Sequence, residues 1–320
     1  MRSHSLSAVE RLPKTSRKIE VFSSRGEPEN RAPLIFSAKL SLDTALAVAL
    51  VPYFAPKHHT QATRLLKGVL DAEPTNSEAR FARAQISQEA GKWAEARKNF
   101  QYILDQGGDE KDMVAAKEEL GWCFVNEGDL NKGRDLLEEV VEVRDRRASE
   151  LEGKEDEEAF ARARAWWRLG QTEWRSGGAS QKLLAPSLVL IVDEESKEDA
   201  ENWFMASMRA LPAYAPAFSA LGLCYSSATP PDHERALKCY QKAFELDPTE
   251  ADAARLLATG CANDDEWAQV RLIANRVMEG EGGLDGVAGG AAMNPKGRFA
   301  PKNGWAWKAL GATEMVCAVL

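Results

Sequence analysis

Small residues recur in this sequence 12 positions apart, each pair linking two stretches with helical periodicity. In one pair Val takes the place of the second small residue, and the pairs are Ala84 with Ala96, Gly121 with Gly133, and Ala258 with Val270. This spacing suits two antiparallel helices joined by a short turn, because helix backbones approach closely only where Cβ bulk is small. The sequence therefore predicts an all-α chain of helical hairpins, each burying its apolar face against its neighbours.

The helices of each hairpin follow two different patterns. First helices carry a bulky residue followed by Leu-Gly, as in Trp166-x-x-Leu169-Gly170. Second helices carry a small residue, an aromatic residue or Leu four later and often a Pro eight beyond that. Both patterns are typical of tetratricopeptide (TPR) repeats, so we predict a TPR solenoid, a right-handed superhelix of antiparallel helix pairs. The residues that define the repeat are Ala84, Ala96, Gly121, Gly170, Ala200, Gly222, Ala236, Pro212 and Pro248.

The repeat pattern divides the chain into four parts. Residues 1–45 lack the repeat and are predicted to be a mobile tail, although 42–50 could form a first helix. Residues 46–280 form the helical array, with an insertion at 180–196 that is either a docking segment or a chance insertion. Residues 281–303 are rich in Gly and Ala and predict a disordered linker. Residues 304–320 predict the first helix of a further, truncated repeat.

Composition excludes several classes of function. The net charge of -8 argues against a general phosphate-binding surface, so direct nucleic-acid binding is expected to be weak or absent. The five cysteines form no CxxC pair, which predicts neither a zinc site nor a disulfide framework. No stretch reaches the roughly 20 apolar residues of a membrane helix. We expect no membrane partner and a location in the cytoplasm, with the nucleus as an alternative.

The sequence offers no catalytic or cofactor-binding constellation. The four histidines form no HExxH motif, and His58 and His59 are interpreted as helix-entry residues. The motif around Gly282, Gly283 and Gly286 has no preceding strand and no following GK[ST], so a nucleotide site is not expected. Cys224 and Cys261 are predicted to be core residues. We therefore predict a protein that is not an enzyme, with no metal ion and no cofactor.

Aromatic and Arg residues on the first helices predict a groove for a protein partner. Such side chains are the usual anchors of protein interfaces, although packing between hairpins would also explain them. Trp93, Trp166, Trp267 and Trp307 occupy matching repeat positions and are predicted to be core residues. The candidate groove residues are Trp122, Trp167, Gln171, Trp174 and Arg175.

Five stretches occur in an order that points to one family. They are Ala165–Gly170, Tyr214–Gly222, Lys238–Leu246, Asp265–Trp267 and Trp305–Gly311. Together they resemble the TPR subunit of the fungal superkiller (Ski) complex, over about residues 57–317. Members of that family are far longer, so the resemblance implies a fragment or a truncated form.

The resemblance implies a function for the chain. It predicts a scaffold that joins a DExH-type RNA helicase to WD40-propeller subunits and assists the cytoplasmic RNA exosome in 3′-to-5′ mRNA decay. The alternative is a generic TPR peptide-binding adaptor or co-chaperone. A clamp for a C-terminal carboxylate would need Lys, Arg and Asn on the groove, whereas Phe81, Gln85 and Trp122 are apolar or amide residues there. The third class of function is an enzyme with an appended helical array.

Overall fold

The computed structural model describes residues 31–53, 56–150, 158–179, 194–248, 250–279 and 304–319. These ranges contain 13 α-helices and no β-strand. The α-helices are α1 Arg31–Leu50, α2 His59–Ala72, α3 Ser77–Glu89, α4 Trp93–Gln106, α5 Glu110–Glu127, α6 Leu130–Glu150, α7 Ala159–Trp174, α8 Glu194–Ala210, α9 Ala215–Ser226, α10 His233–Leu246, α11 Ala251–Asn263, α12 Trp267–Glu279 and α13 Gly304–Val319. A π-type turn over Arg175–Ala179 extends α7.

Consecutive helices pack in the order the repeat pattern predicts. The helices α3 and α4, α5 and α6, α7 and α8, α9 and α10, and α11 and α12 form hairpins, and each second helix also contacts the next first helix. The predicted all-α TPR solenoid is thus confirmed. Residues 194–196 of the predicted insertion belong to α8, and although 175–193 separate α7 from α8 in sequence, the two helices still pack along each other.

Polar caps fix where several helices begin. Asn76 accepts a 2.9 Å hydrogen bond from the Ala79 backbone N–H at the start of α3. Asp232 accepts an equivalent 2.9 Å bond from the Arg235 N–H at the start of α10. Such caps satisfy backbone donors that have no partner within the helix. Pro212 and Pro248 lie in the turns before α9 and α11, as predicted.

The repeat-defining small residues lie at helix crossings. Ala84, Ala96, Ala200 and Ala236 are all buried. A Cβ added to Gly222 would lie 2.5 Å from Cε1 of Tyr240 on the partner helix, and one added to Gly121 would lie 3.2 Å from the Gly133 carbonyl oxygen. The small residues therefore let the aromatic side chain or the backbone of the second helix approach.

The structure differs from the sequence prediction in two places. The predicted tail boundary at residue 45 is wrong, because α1 begins at Arg31 and 31–45 is helical. Pro33 is tolerated in the first turn, and the Ala- and Leu-rich stretch that follows favours helix. Trp307 was predicted to be a core residue, yet its side chain is 55% exposed. Residues 180–193 and 281–303 lie outside the described residues.

Candidate partner-binding surface

Two adjacent carboxylates are buried at the centre of the array. Glu118 and Glu119 lie in α5 directly before Leu120 and Gly121, at 0% and 4% exposure. Burying an ionised carboxylate is costly unless opposite charges and hydrogen bonds compensate for the lost water. The surrounding helices provide that compensation.

Three arginines from two other helices bind Glu118. Arg144 of α6 donates to Glu118 Oε2 at 2.7 Å. From α7, Arg164 donates to Oε1 at 2.7 Å and Arg168 donates to the same oxygen at 3.0 Å. Glu118 therefore ties α5, α6 and α7 together through charge-assisted hydrogen bonds.

Glu119 extends this cluster to α3. Arg168 donates to Glu119 at 3.0 Å, and so does Gln88 from α3. Burial alone would raise the pKa of the Glu119 carboxyl, but the charges of Arg168 and Arg164 outweigh it and hold that pKa below its usual value. The same carboxylates raise the pKa of the Arg164 guanidinium despite its burial. We call Glu118, Glu119, Arg144, Arg164 and Arg168 the buried charge cluster.

Aromatic rings lie beside the buried charge cluster. Trp122 of α5 and Trp167 of α7 have ring centroids 5.8 Å apart, and Trp167 meets Tyr214 edge-on at 6.4 Å. We call Trp122, Trp167 and Tyr214 the aromatic row. Trp122 and Trp167 are half-buried, whereas Tyr214 is buried.

Two guanidinium groups stack on the aromatic row. Arg168 lies 5.3 Å from the Trp122 ring centroid and Arg175 lies 5.1 Å from it. Arg175 also donates to Asn126 Oδ1 at 3.2 Å, and burial lowers its pKa. Cation–π contacts of this kind gain strength as the groups lose water. Arg168 therefore links the aromatic row to the buried charge cluster.

The structure brings together only part of the predicted groove. Trp122, Trp167 and Arg175 are close neighbours. Trp174 instead packs against the core formed by Ala200, Phe204, Ala220 and Cys224, which Trp167 also contacts. Gln171 is half-buried. The aromatic residues thus take part in packing between hairpins and leave a half-buried face at Trp122 and Trp167.

The buried charge cluster is not among the predicted site residues, although the sequence contains a signal for it. Adjacent glutamates directly precede the Leu-Gly of a first helix, and Arg164 and Arg168 are four residues apart on the next first helix. Residues four apart share a helix face, so both arginines can reach α5.

The histidines and cysteines singled out in the sequence, His58, His59, Cys224 and Cys261, lie at a helix start or in the core. His58 is the N-cap residue of α2, and the ring of the adjacent His59 lies 3.1 Å from the Val51 carbonyl oxygen. Cys224 is buried in the core, and Cys261 packs against the core of α10–α13. Within the described ranges, no group of three His, Cys, Asp or Glu side chains is placed to hold a metal ion. No helix in the described part of the chain is long and apolar enough to cross a bilayer.

Known proteins with helical repeats resemble this chain. A family profile described as tetratricopeptide repeat matches residues 53–116. Among solved structures, PilW, a type IV pilus biogenesis factor, aligns at a TM-score of 0.49 with 16% identity, covering 75% of this chain and 92% of that chain. The repeat profile over those residues and the hairpin packing show that the described helices form a TPR-type solenoid.

The chain is similar to Superkiller protein 3. It is 30% identical to that protein from Schizosaccharomyces pombe over 236 residues, 73% of this chain. It is 26% identical to Superkiller protein 3 from Saccharomyces cerevisiae over 243 residues, 76% of this chain. The aligned part is 15% of the length of each of these relatives. The resemblance predicted from the five ordered stretches is thus confirmed.

Proposed function

We propose that this chain is a non-catalytic scaffold segment of a superkiller-type complex. In this proposal it holds a DExH-type RNA helicase and WD40-propeller subunits, and it assists the RNA exosome in 3′-to-5′ mRNA decay in the cytoplasm. The observation that carries the proposal is the similarity to Superkiller protein 3 over 236 residues, 73% of this chain.

The aromatic row is our candidate for the partner contact. Trp and Arg are the residue types that most often dominate binding energy at protein interfaces. Trp122 and Trp167 expose part of their rings, while Arg168 behind them is held by Glu118 and Glu119. A face fixed in this way binds with little loss of side-chain freedom.

Affinity capture from a fungal extract tests the proposal. We expect the tagged full chain to recover the helicase and propeller subunits, and the Trp122→Ala variant to recover much less of both. The matched control is Leu272→Ala, which removes a side chain 62% exposed on α12 and should leave capture unchanged. Circular dichroism verifies that each variant is folded.

Two outcomes would contradict the proposal. Recovery of chaperones in place of the helicase and propeller subunits would favour the co-chaperone adaptor. Phe81 makes that adaptor less compatible with the structure, because it meets Phe100 edge-on at 5.2 Å and is packed into the α3–α4 hairpin. If the chain captures neither set of proteins, the proposed scaffold function is contradicted.

A further inference from the structure

The last turn of α6 carries two adjacent arginines and, two residues after them, a serine. We call Arg146, Arg147, Ala148 and Ser149 the α6 motif. Ser149 is the only serine or threonine in the chain that has Arg at both the second and the third position before it. Basophilic Ser/Thr kinases select Arg at these two positions, because carboxylates in the kinase groove bind guanidinium groups through charge-assisted hydrogen bonds. The α6 motif therefore has the chemistry of a kinase substrate.

The acceptor hydroxyl of this motif lies at the surface. Ser149 is exposed, and so is Arg146, which lies three residues earlier and therefore on the same face of α6. The Ser149 hydroxyl donates a 2.6 Å hydrogen bond to the Arg146 carbonyl oxygen. That carbonyl belongs to the last turn, where carbonyl groups have no partner in the helix backbone. The hydrogen bond is local, so breaking it disrupts no contact between helices.

Surface ion pairs hold this turn to the neighbouring helices. Arg147 bridges Glu110 of α5 at 3.1 Å and Glu158, which directly precedes α7, at 3.6 Å. Glu110 is 75% exposed, so water screens its ion pair with Arg147. Helix ends that are held by exposed contacts open more readily than the core of a helix. The α6 motif can therefore adopt the extended conformation in which a kinase binds its substrate.

The turn before the α6 motif is firmly held. The Arg144 guanidinium is 5% exposed and donates to the buried Glu118 carboxylate at 2.7 Å. Val140 and Val141, which precede it, are buried in the core. Opening this turn would leave a buried charge without compensation, which is costly. Local opening is therefore expected to stop after Arg144, so that a kinase reaches Ser149 while the buried charge cluster stays intact.

We propose that Ser149 is a phosphorylation site for a basophilic Ser/Thr kinase that uses MgATP. The Ser149 hydroxyl oxygen attacks the γ-phosphorus of ATP, the bond between that phosphorus and the β–γ bridging oxygen breaks, and ADP leaves. The hydroxyl proton passes to a carboxylate base of the kinase. The product is a phosphoserine at the end of α6. This site is separate from the aromatic row and does not depend on the proposed scaffold function.

Phosphorylation is expected to loosen the end of α6. The modified Ser149 oxygen can no longer donate to the Arg146 carbonyl. The phosphate also adds negative charge at the carbonyl end of a helix, and Asp145, four residues earlier, lies on the same helix face. Arg146 offsets only part of this charge, because it is exposed to water. The modification thus favours the open form of the last turn.

Treatment of the purified full chain with the catalytic subunit of cyclic-AMP-dependent protein kinase and MgATP tests the proposal. We expect phosphate at Ser149, located by peptide mass spectrometry, and its loss in Ser149→Ala. Arg146→Ala should slow the transfer by about tenfold or more, because the kinase loses a charge-assisted contact. The matched control is Arg235→Ala, which removes an exposed Arg on α10 and should leave the rate unchanged. Circular dichroism verifies that each variant is folded.

Two further measurements separate recognition of the motif from access to it. A peptide with the sequence of residues 143–150 presents the α6 motif without the fold, and we expect the kinase to modify both the peptide and the chain. Hydrogen–deuterium exchange at 146–150 should be faster in the phosphorylated protein than in the unmodified one. Exchange at Val140 and Val141 should stay the same in both forms.

Three results would overturn the proposal. One is a chain without phosphate at Ser149, and modification of the peptide alone would then show that the end of α6 stays closed. Another is phosphate only at serines outside the α6 motif. The third is an equal rate for Arg146→Ala and the parent protein, because the arginines would then not direct the kinase. Unchanged hydrogen exchange at 146–150 would contradict the loosening of α6. Failure to capture a helicase from extract would leave this inference intact.

Discussion

Phe204 lies against Gly170, and a Cβ on Gly170 would be 2.6 Å from Cε1 of that ring. Phe204 is only 1% exposed, so its ring has little room to move aside. The close approach of α7 and α8 thus depends on the absence of a single methyl group. This relationship can be tested by comparing two glycines of the same repeat position.

Gly170→Ala is expected to destabilise the fold by about 1–3 kcal/mol through overpacking. Gly311→Ala should leave stability unchanged or raise it by up to about 1 kcal/mol, because Ala is the better helix former. Free energies of unfolding from urea titration measure both changes. Equal effects of the two substitutions would show that the α7–α8 crossing does not require Gly.

Glu118→Gln is expected to destabilise the protein by about 3–5 kcal/mol, because it removes the buried charge that Arg144, Arg164 and Arg168 share. The matched control is Glu139→Gln. Glu139 bridges Lys117 at 2.6 Å but is 57% exposed, so its loss should cost about 1 kcal/mol or less. Chemical denaturation measures the free energy of unfolding of both variants. A similar decrease in the two would argue against a stabilising role for the buried charge cluster.

The stability of the fold should decrease as the pH is lowered and Glu119 becomes protonated. Its folded-state pKa is held below the ordinary value of 4.5, so the unfolded chain takes up the proton first. The stabilisation is present above that ordinary value and is lost as pH falls through the folded pKa. Glu119→Gln should therefore flatten the stability profile below about pH 4.5.

Thermal melts across that acidic range measure the effect. Glu234→Gln is the control. It removes an exposed carboxylate and should leave the shape of the stability profile against pH as in the parent protein. A parent profile that is flat on its acidic side would contradict the arginine stabilisation of Glu119.

The buried thiols should react slowly in the folded protein. Burial raises the pKa of Cys123 to about 11 and that of Cys224 to about 12. At pH 8 only about a thousandth or less of either thiol is ionised, and the thiolate is the reactive form. Variants that retain one cysteine, treated with a thiol reagent with and without urea, provide the measurement. Rapid reaction of folded Cys123 would contradict its packed position beside Gln88.

The sequence by itself determined the helical hairpins. Helix period, the Asn76 and Asp232 caps, and the small residues at the crossings all act over a few residues or one repeat length, so their spacing carries the information. It also indicated that Trp122, Trp167 and Arg175 line one groove, because successive first helices of a repeat array lie side by side.

Only the tertiary structure decided what lies around those residues. Glu118 is bonded to residues 26, 46 and 50 positions away, and its burial depends on arginines from α6 and α7. Trp307 follows the same local pattern as Trp166, yet one is exposed and the other is stacked on Trp203. Local periodicity fixes the face on which a side chain lies, whereas burial depends on which helix packs against that face.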